Sequence, residues 1–447
     1  MAMTDATPDL PRQFPCNGID YFLYQLDQIM FAASGKRNVC SLAIELDGAL
    51  DKERLQRHLA RQPAYCWLTA LRFRKGPPFA LSRWQLDAKA PLPEIAEQQL
   101  PDYQGVPDSL LDRPIHPHQE SPFRIALIHL PKGRSLLIFT WHHALLDAHG
   151  AERFIHGLAH PGETQIQWQQ QASPRDQRTL LQRLNIARDG KRFLFEASEP
   201  PLTSIYAHSA KKPGQFTQRY RLLRFNEQET REITANAHRQ GGGFILSSFY
   251  LAATACASAA IQLQRNSLDG DYLVPMPQDR RRRGAAGPVI GNQASFLFYR
   301  IPKDNLKDIK LCSRSLTEQM TRQIRQQMPG NFLSMMALFR RIPGPLYRFL
   351  MKLPTAGLMA SLHFSDTGES MSDYQTLFGL PVRSAVHYPP NLYPPGVTII
   401  FTRFRGALQV TFGYLQEELQ EQEAKQLLDD LRSLLLTGKA VSPAPAP

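Results

Sequence analysis

Trp141-His142-His143-Ala144-Leu145-Leu146-Asp147-Ala148-His149-Gly150 places two adjacent histidines, an aspartate and a glycine just beyond a strongly apolar run. The residues before it set the local geometry. Pro122 to Leu130 and Ser135 to Trp141 are rich in branched and aromatic side chains and are joined by Pro131-Lys132-Gly133, the pattern of a hairpin of two largely buried strands. The histidine pair therefore sits at a strand end. Neighbouring strand residues point to opposite faces, so His142 and His143 cannot both enter one cavity while that geometry persists. One is expected to act and the other to support it.

A neutral imidazole with an ordinary pKa of about 6.5 can take a proton from an alcohol or amine and hand it to a departing thiolate, which suits attack on a thioester. Asp147 could orient that imidazole, or turn away to hold the loop through an arginine; spacing alone does not decide. Gly150 allows the chain to enter a closely packed helix. A zinc site would ask for three protein ligands, and only His149 and His156 lie near the pair, so no metal is assigned.

The motif resembles the HHxxxDG signature of the superfamily that holds chloramphenicol acetyltransferase, the condensation domains of nonribosomal peptide synthetases, plant BAHD acyltransferases and bacterial wax ester synthase/diacylglycerol acyltransferases. It departs in one respect: Ala148-His149 separates Asp147 from Gly150. The resemblance extends along the chain. Val39 to Asp51, with Leu55 and Leu59 after it, is similar to the family's opening strand and helix, and Gly243 to Leu263 to its long buried helix. Val274-Pro275-Met276-Pro277-Gln278-Asp279-Arg280 and Gly291-Asn292 are similar to the strand end and glycine-asparagine that follow. Val397 to Phe404, Gly406 to Tyr414 and Gln420 to Leu436 resemble the closing hairpin and last helix. No DFGWG segment is present, unlike the plant enzymes.

The resemblance implies an α/β fold of two chloramphenicol acetyltransferase-like subdomains, each a mixed sheet with helices, enclosing a tunnel. It implies acyl transfer from acyl-CoA or a phosphopantetheinyl acyl-carrier protein as co-substrate, with no bound cofactor and no acyl-enzyme. His143 Nε2 is then the general base, with His142 and Asp147 beside it. The family's motif aspartate pairs with an arginine, here assigned to Arg280. Asn292, Ser365 and Thr367 are candidate substrate or oxyanion contacts. An alcohol acceptor is ranked first and an amine second; a non-catalytic module that binds acyl carriers is the reading from another class, disfavoured by the retained His143.

At 447 residues the chain exceeds what one core usually supports. The expected division is an N-terminal subdomain over 1–160, a polar crossover over 161–214, a C-terminal subdomain over 215–441 and a Pro/Ala tail over 442–447. The net charge is +12, but the basic residues are dispersed except for Arg280-Arg281-Arg282-Arg283, without the interleaved aromatics of a nucleic-acid surface. Phosphates of coenzyme A, an acidic carrier or anionic lipid are the expected partners. Three of the four arginines read as a solvated loop beside one structural arginine.

Five widely spaced cysteines, Cys16, Cys40, Cys66, Cys256 and Cys312, read as reduced thiols of a cytoplasmic protein. The N-terminus carries Asp5 and Asp9 without a basic-then-apolar leader pattern. Gly243 to Gln264 is uncharged but rich in alanine and hydroxyl residues, as in a tightly packed internal helix. Asn331 to Leu358 interleaves methionine, leucine and aromatics with Arg340, Arg341, Arg348 and Lys352. It reads as a helical segment packed over the core, with peripheral contact at the inner membrane face as the alternative.

Overall fold

Val39–Leu46 and Arg134–His142 carry apolar residues on both faces, and the folded chain buries both faces. They pair antiparallel, Val39 opposite His142, in the middle of a six-stranded sheet. Across that sheet run Thr376–Leu377, Leu380–Tyr388, Val39–Leu46, Arg134–His142, Phe123–Leu130 and Ala96–Gln99. This is a computed structural model, and it describes residues 10–161, 179–206, 212–241, 245–281, 289–371 and 374–440. The expected hairpin is present; its connection is a short 3₁₀ turn, with Lys132 and Gly133 both at positive φ.

A second sheet holds His363–Glu369, Val397–Phe404, Ala407–Leu415 and Gln218–Arg224 in that order. Its first pair is parallel and the others are antiparallel. A two-stranded ribbon, Tyr272–Asp279 against Ala294–Ile301, lies alongside. With a further three-stranded sheet of Gln13–Pro15, Arg83–Leu86 and Leu71–Arg74, the architecture is the α/β arrangement of two main sheets with helices that the sequence implied. One crossing was not legible: Leu380–Tyr388 leaves the neighbourhood of the second sheet and joins the first, pairing with Val39–Leu46. Its burial tightens only in its second half, so its alternation does not say which sheet it joins.

The apolar helix Leu246–Gln264 runs through the core of the second half, where most of its side chains are buried. It is long and apolar enough to cross a membrane by composition alone, yet it ends in a polar lock. Gln262 Nε2 donates to Thr203 Oγ1 at 3.0 Å and to the Ser204 carbonyl at 2.6 Å, and its Oε1 accepts from the Tyr272 hydroxyl. The cysteines Cys16, Cys40, Cys256 and Cys312 are buried and Cys66 is partly exposed; all five are free thiols.

Within the polar crossover, residues 162–178 lie outside the described ones. After them Thr179 caps the helix Leu180–Ala197 in a capping box with Gln182. That helix packs on Met328–Phe339, with Gly190 facing Phe332 and Met335 at a distance that would leave a Cβ only ordinary contacts. The proposed tail, Gly243, Arg282 and Arg283 also lie outside the described residues.

Replacing Gln262 with leucine strips partners from Thr203, Ser204 and Tyr272 inside the core. A buried polar group left unsatisfied costs about 1–3 kcal/mol, so Gln262→Leu is expected to lower the unfolding free energy by an amount in or above that range, whereas Gln262→Glu should lose more at pH 8 than at pH 5. Equal stability of Gln262→Leu and the parent in urea unfolding would contradict this.

Candidate active site

His142 and His143 part as strand geometry requires. His142 is fully buried; its Nδ1 accepts from the Ala144 N–H at 3.3 Å, which leaves the proton on Nε2, 3.6 Å from Asp27 Oδ1. Asp27 is held by the Arg37 guanidinium at 2.7 Å and the Asn38 N–H at 2.8 Å. Burial pushes the Asp27 carboxyl up, but His142, Arg37 and that N–H outweigh it and keep the group below its ordinary value. Asn38 also accepts the His143 N–H through its carbonyl at 3.0 Å.

His143 turns the other way, into a cavity of about 450 Å³. Its Nδ1 lies 3.2 Å from the Leu146 carbonyl. A carbonyl only accepts, so Nδ1 carries the proton and Nε2 keeps its lone pair for the cavity. Burial lowers the His143 pKa; the Leu146 carbonyl and the charge of Asp147 offset this only in part. The ring is therefore neutral at physiological pH, which is the form a proton acceptor needs.

Asp147 does not touch the imidazole. It is the N-cap of the helix Ala148–Ala159, and its Oδ1 accepts from the Gly150 N–H at 2.8 Å while Oδ2 accepts from the Gln293 N–H at 2.8 Å. Each oxygen also takes one arm of a guanidinium at 3.0 Å. The arginine is Arg281, and the assignment to Arg280 is corrected: Arg280 is exposed at the strand end, its N–H bonded to the Gln293 carbonyl. The reason is the turn after Asp279. The Arg281 N–H donates to Asp279 Oδ1 at 3.0 Å, which folds the chain back and aims residue 281 inward, and a one-residue offset reverses the side. Arg281 is thus the structural arginine of the run.

Gly150 is needed for a different approach from the one expected. A Cβ there would stand 2.4 Å from the Val289 carbonyl oxygen, so the glycine admits the 289–293 segment rather than the strand. Asn292, expected at substrate, braces the site: its Nδ2 donates to the His143 carbonyl and to Asp20 Oδ1, each at 2.9 Å, and its N–H to Asp20 Oδ1 at 2.8 Å. Burial raises the Asp20 pKa to about 6 despite these bonds. Ser365 and Thr367 do line the cavity, and the Thr367 hydroxyl is bonded to the Phe401 carbonyl at 3.3 Å.

Several residues of the site gave no sequence signal. Asp20 and Asp27 sit on the helix Gly18–Ser34, where Asp20 reads as half of an ordinary capping box with Asn17. Glu152 is buried between His149, 3.4 Å away, and His387, 2.7 Å away, with the Ser370 hydroxyl donating to it at 2.5 Å. Burial would raise its pKa, but the two imidazoles hold it well below the carboxylate range, and Glu152 in turn raises that of His149. His149, His387 and His363 all border the cavity. Burial lowers the His363 pKa to about 4.

The cavity is asymmetric. Along Ala294–Ile301 the alternate residues Ala294, Phe296 and Phe298 face it while Ser295, Leu297 and Tyr299 face the second core. Phe296 and Phe298 on this strand, with Phe332, Met335 and Phe339 on the helix Met328–Phe339, form an apolar arm of the cavity. The Asn331 to Leu358 segment thus folds as Met328–Phe339 and Gly344–Lys352, with one face forming the cavity wall. Arg348 donates to Gln25 at 2.9 Å, while Leu346 and Phe349 remain exposed.

This two-sheet frame around a histidine-bearing cavity matches solved structures along nearly the whole chain. The trichothecene 15-O-acetyltransferase from Fusarium sporotrichioides aligns with a TM-score of 0.67 at 16% identity, over 98% of this chain and 100% of that one. The chain has the condensation-domain fold. The first condensation domain of the CDA synthetase aligns with a TM-score of 0.64 at 16% identity, over 96% and 97%. A variant starter condensation domain of rhizomide synthetase, solved with C8-CoA and Leu-SNAC, aligns with a TM-score of 0.62 at 13% identity, over 97% of each chain. No protein-family model matches the sequence, and no curated protein matches it. Within this condensation-domain fold, the described His143 opens to the cavity between the two sheets.

The part-buried pair Asp147 and Arg281 can be probed by a double-mutant cycle. Removing one partner of a fully buried pair costs about 3–5 kcal/mol, so Asp147→Ala and Arg281→Met should each lower stability by an amount up to that size. The double variant should lose less than the sum, whereas Arg280→Met should change little. Strictly additive losses in chemical unfolding would show that the two do not interact.

Proposed function

We propose that this protein is an acyltransferase that moves an acyl group from a thioester, on coenzyme A or an acyl-carrier protein, to an alcohol. The observation that carries this reading is the tautomer of His143: Nδ1–H is spent on the Leu146 carbonyl, and a basic Nε2 is left facing a mainly apolar cavity. The condensation-domain fold supports it. A hydroxyl is a poor nucleophile until its proton is taken, so a neutral buried imidazole is what an alcohol acceptor demands.

In the proposed reaction, His143 Nε2 accepts the hydroxyl proton as the oxygen attacks the thioester carbonyl. A tetrahedral oxyanion forms, the C–S bond breaks, and the imidazolium returns the proton to the thiolate. Ester and free thiol leave, and no acyl group is attached to the protein at any stage. Asp147 acts at a distance, by holding the loop through Arg281. The apolar arm receives the acyl chain. Each methylene it buries contributes about 0.8 kcal/mol, so chain length is read there.

His143→Ala is expected to reduce turnover by about 10²–10⁴-fold with little change in unfolding temperature. His142→Ala should lose stability first, because it removes the counter-group of buried Asp27. The acid limb of the kcat/KM profile should fall below pH 6.5, since the folded state lowers the His143 pKa and protonation removes the base. These are checked by thiol release and product mass with acyl-CoA and acyl-carrier donors against pools of alcohols and amines. Amide products alone would assign the acceptor to amines, and absence of turnover with every donor would favour a carrier-binding module.

Chain selection has its own test. Met335→Trp fills the arm, and a single methylene of misfit in an apolar pocket is worth about 10-fold or more in selectivity. The preference for long over short acyl donors should fall by at least about 10-fold, with activity on an acetyl donor retained. An unchanged chain-length profile would remove Met335 from the acyl path.

A further inference from the structure

Large apolar side chains exposed to water are concentrated on two helices. Among the described residues twelve are exposed, and six of these are Leu181, Leu184, Phe195, Leu346, Phe349 and Leu353. Leu181, Leu184 and Phe195 share one face of the helix Leu180–Ala197, away from Gly190, which is turned to Phe332 and Met335. Leu346, Phe349 and Leu353, spaced three and four residues apart, share one face of the helix Gly344–Lys352 and its short extension Leu353–Thr355. That extension packs against the helix Leu180–Ala197. Phe195 and Leu353 are both exposed and part of the lining of the large cavity, so the two apolar faces meet where that cavity opens.

Cations accompany both faces. Arg188 and Lys191 stand between Leu184 and Phe195 in the helical spacing; Arg188 is exposed with Asp189 3.8 Å away, and Lys191 lies 5.4 Å from the centre of the Phe195 ring. From Gln319 to Ser365 the chain carries Arg322, Arg325, Arg340, Arg341, Arg348 and Lys352 and no Asp or Glu. Arg341 and Lys352 are exposed. Leucine and phenylalanine on one side of a helix with basic residues beside them is the composition of a helix that lies in a membrane interface.

The same observations weigh against other occupants. A second copy of the chain would bring two basic surfaces together, and like charges repel. A folded protein partner would have to supply pockets shaped to side chains that project from single helix faces. A bilayer takes projecting apolar side chains without a matching shape, while anionic headgroups meet the cations.

We infer that the exposed faces of Leu180–Ala197 and Gly344–Thr355 form a docking surface for an anionic lipid bilayer, with the cavity opening set against the membrane. The inference does not rest on the acyl-transfer reading, because binding to lipid is measured without turnover.

The test is co-sedimentation of the full chain with vesicles of phosphatidylglycerol and phosphatidylcholine, and with vesicles of phosphatidylcholine alone. Binding to the anionic vesicles is expected, weakening as salt is raised. The double variant Leu346→Ser with Phe349→Ser should bind about 10-fold or more weakly, from the apolar surface it no longer removes from water. Arg341→Gln with Lys352→Gln should lose about 5-fold per charge. Phe79→Ser, at an exposed phenylalanine in the loop between Leu71–Arg74 and Arg83–Leu86, should bind as the parent does. Each variant should keep the parent's melting temperature; if Leu346→Ser with Phe349→Ser does not fold, Leu181→Ser with Leu184→Ser on the other helix decides. Phe349→Trp should add a fluorescence that brominated-acyl lipid quenches beyond any quenching of the parent. Failure of the parent to bind anionic vesicles at low salt, or undiminished binding by the folded apolar double variants, would overturn the surface. Dimerisation without vesicle binding, lost in Leu346→Ser with Phe349→Ser, would overturn it in favour of a second copy of the chain.

Discussion

One part-buried carboxylate ties the candidate site together. Asp147 receives the Gly150 N–H at the start of a helix, the Gln293 N–H from the ribbon of the second half, and both arms of Arg281. Four donors on two oxygens is close to the full capacity of an ionised carboxyl. The donors come from different segments: the start of the Ala148–Ala159 helix, the residue just before the strand Ala294–Ile301, and the strand end at Asp279. Since burying such a charge without its partners costs several kcal/mol, these segments are held together or not at all.

The histidine pair is braced from a second side in the same manner. The helix Gly18–Ser34 supplies Asp20 to Asn292 and Asp27 to His142, and Asn38 and Asn292 hold the backbone of His143 at its N–H and its carbonyl. The imidazole therefore owes its orientation to backbone carbonyls and amides, with no carboxylate bonded to it among the described residues. That arrangement fixes a tautomer, and burial outweighs the bond to the Leu146 carbonyl so that the ring's pKa stays below its ordinary value. It fits a base that must be neutral before reaction and give its proton up afterwards.

Polarity within the cavity follows from period-two alternation along a single strand. Ala294, Phe296 and Phe298 extend the apolar arm, and their neighbours pack into the second core, so one strand serves as lining and as scaffold. The opposite end collects His149, Asp279, Ser365 and Thr367. Glu152 there is compensated by two imidazoles and a hydroxyl, so the polar end carries no stranded buried charge at that position.

Much of this was written in local pattern. The apolar hairpin, the opposed faces of His142 and His143 and the closing strands with their helix follow from alternation and helical spacing, which depend only on near neighbours. The resemblance of the HHxxxD stretch pointed to the frame that the solved condensation-domain structures share. What the chain alone did not determine depends on contacts between distant segments. Arg281 rather than Arg280 meets Asp147 because the Asp279 side chain turns the backbone by one residue. Gly150 is required by the Val289 carbonyl, 139 positions away in sequence. Asp20, Asp27, Glu152 and His387 lie on unremarkable helices and strands until folding brings them to the histidines. The transfer of Leu380–Tyr388 to the first sheet belongs to the same class. Strand pairing and buried charge compensation are satisfied across the whole fold, and only the tertiary structure states which distant donor meets which acceptor.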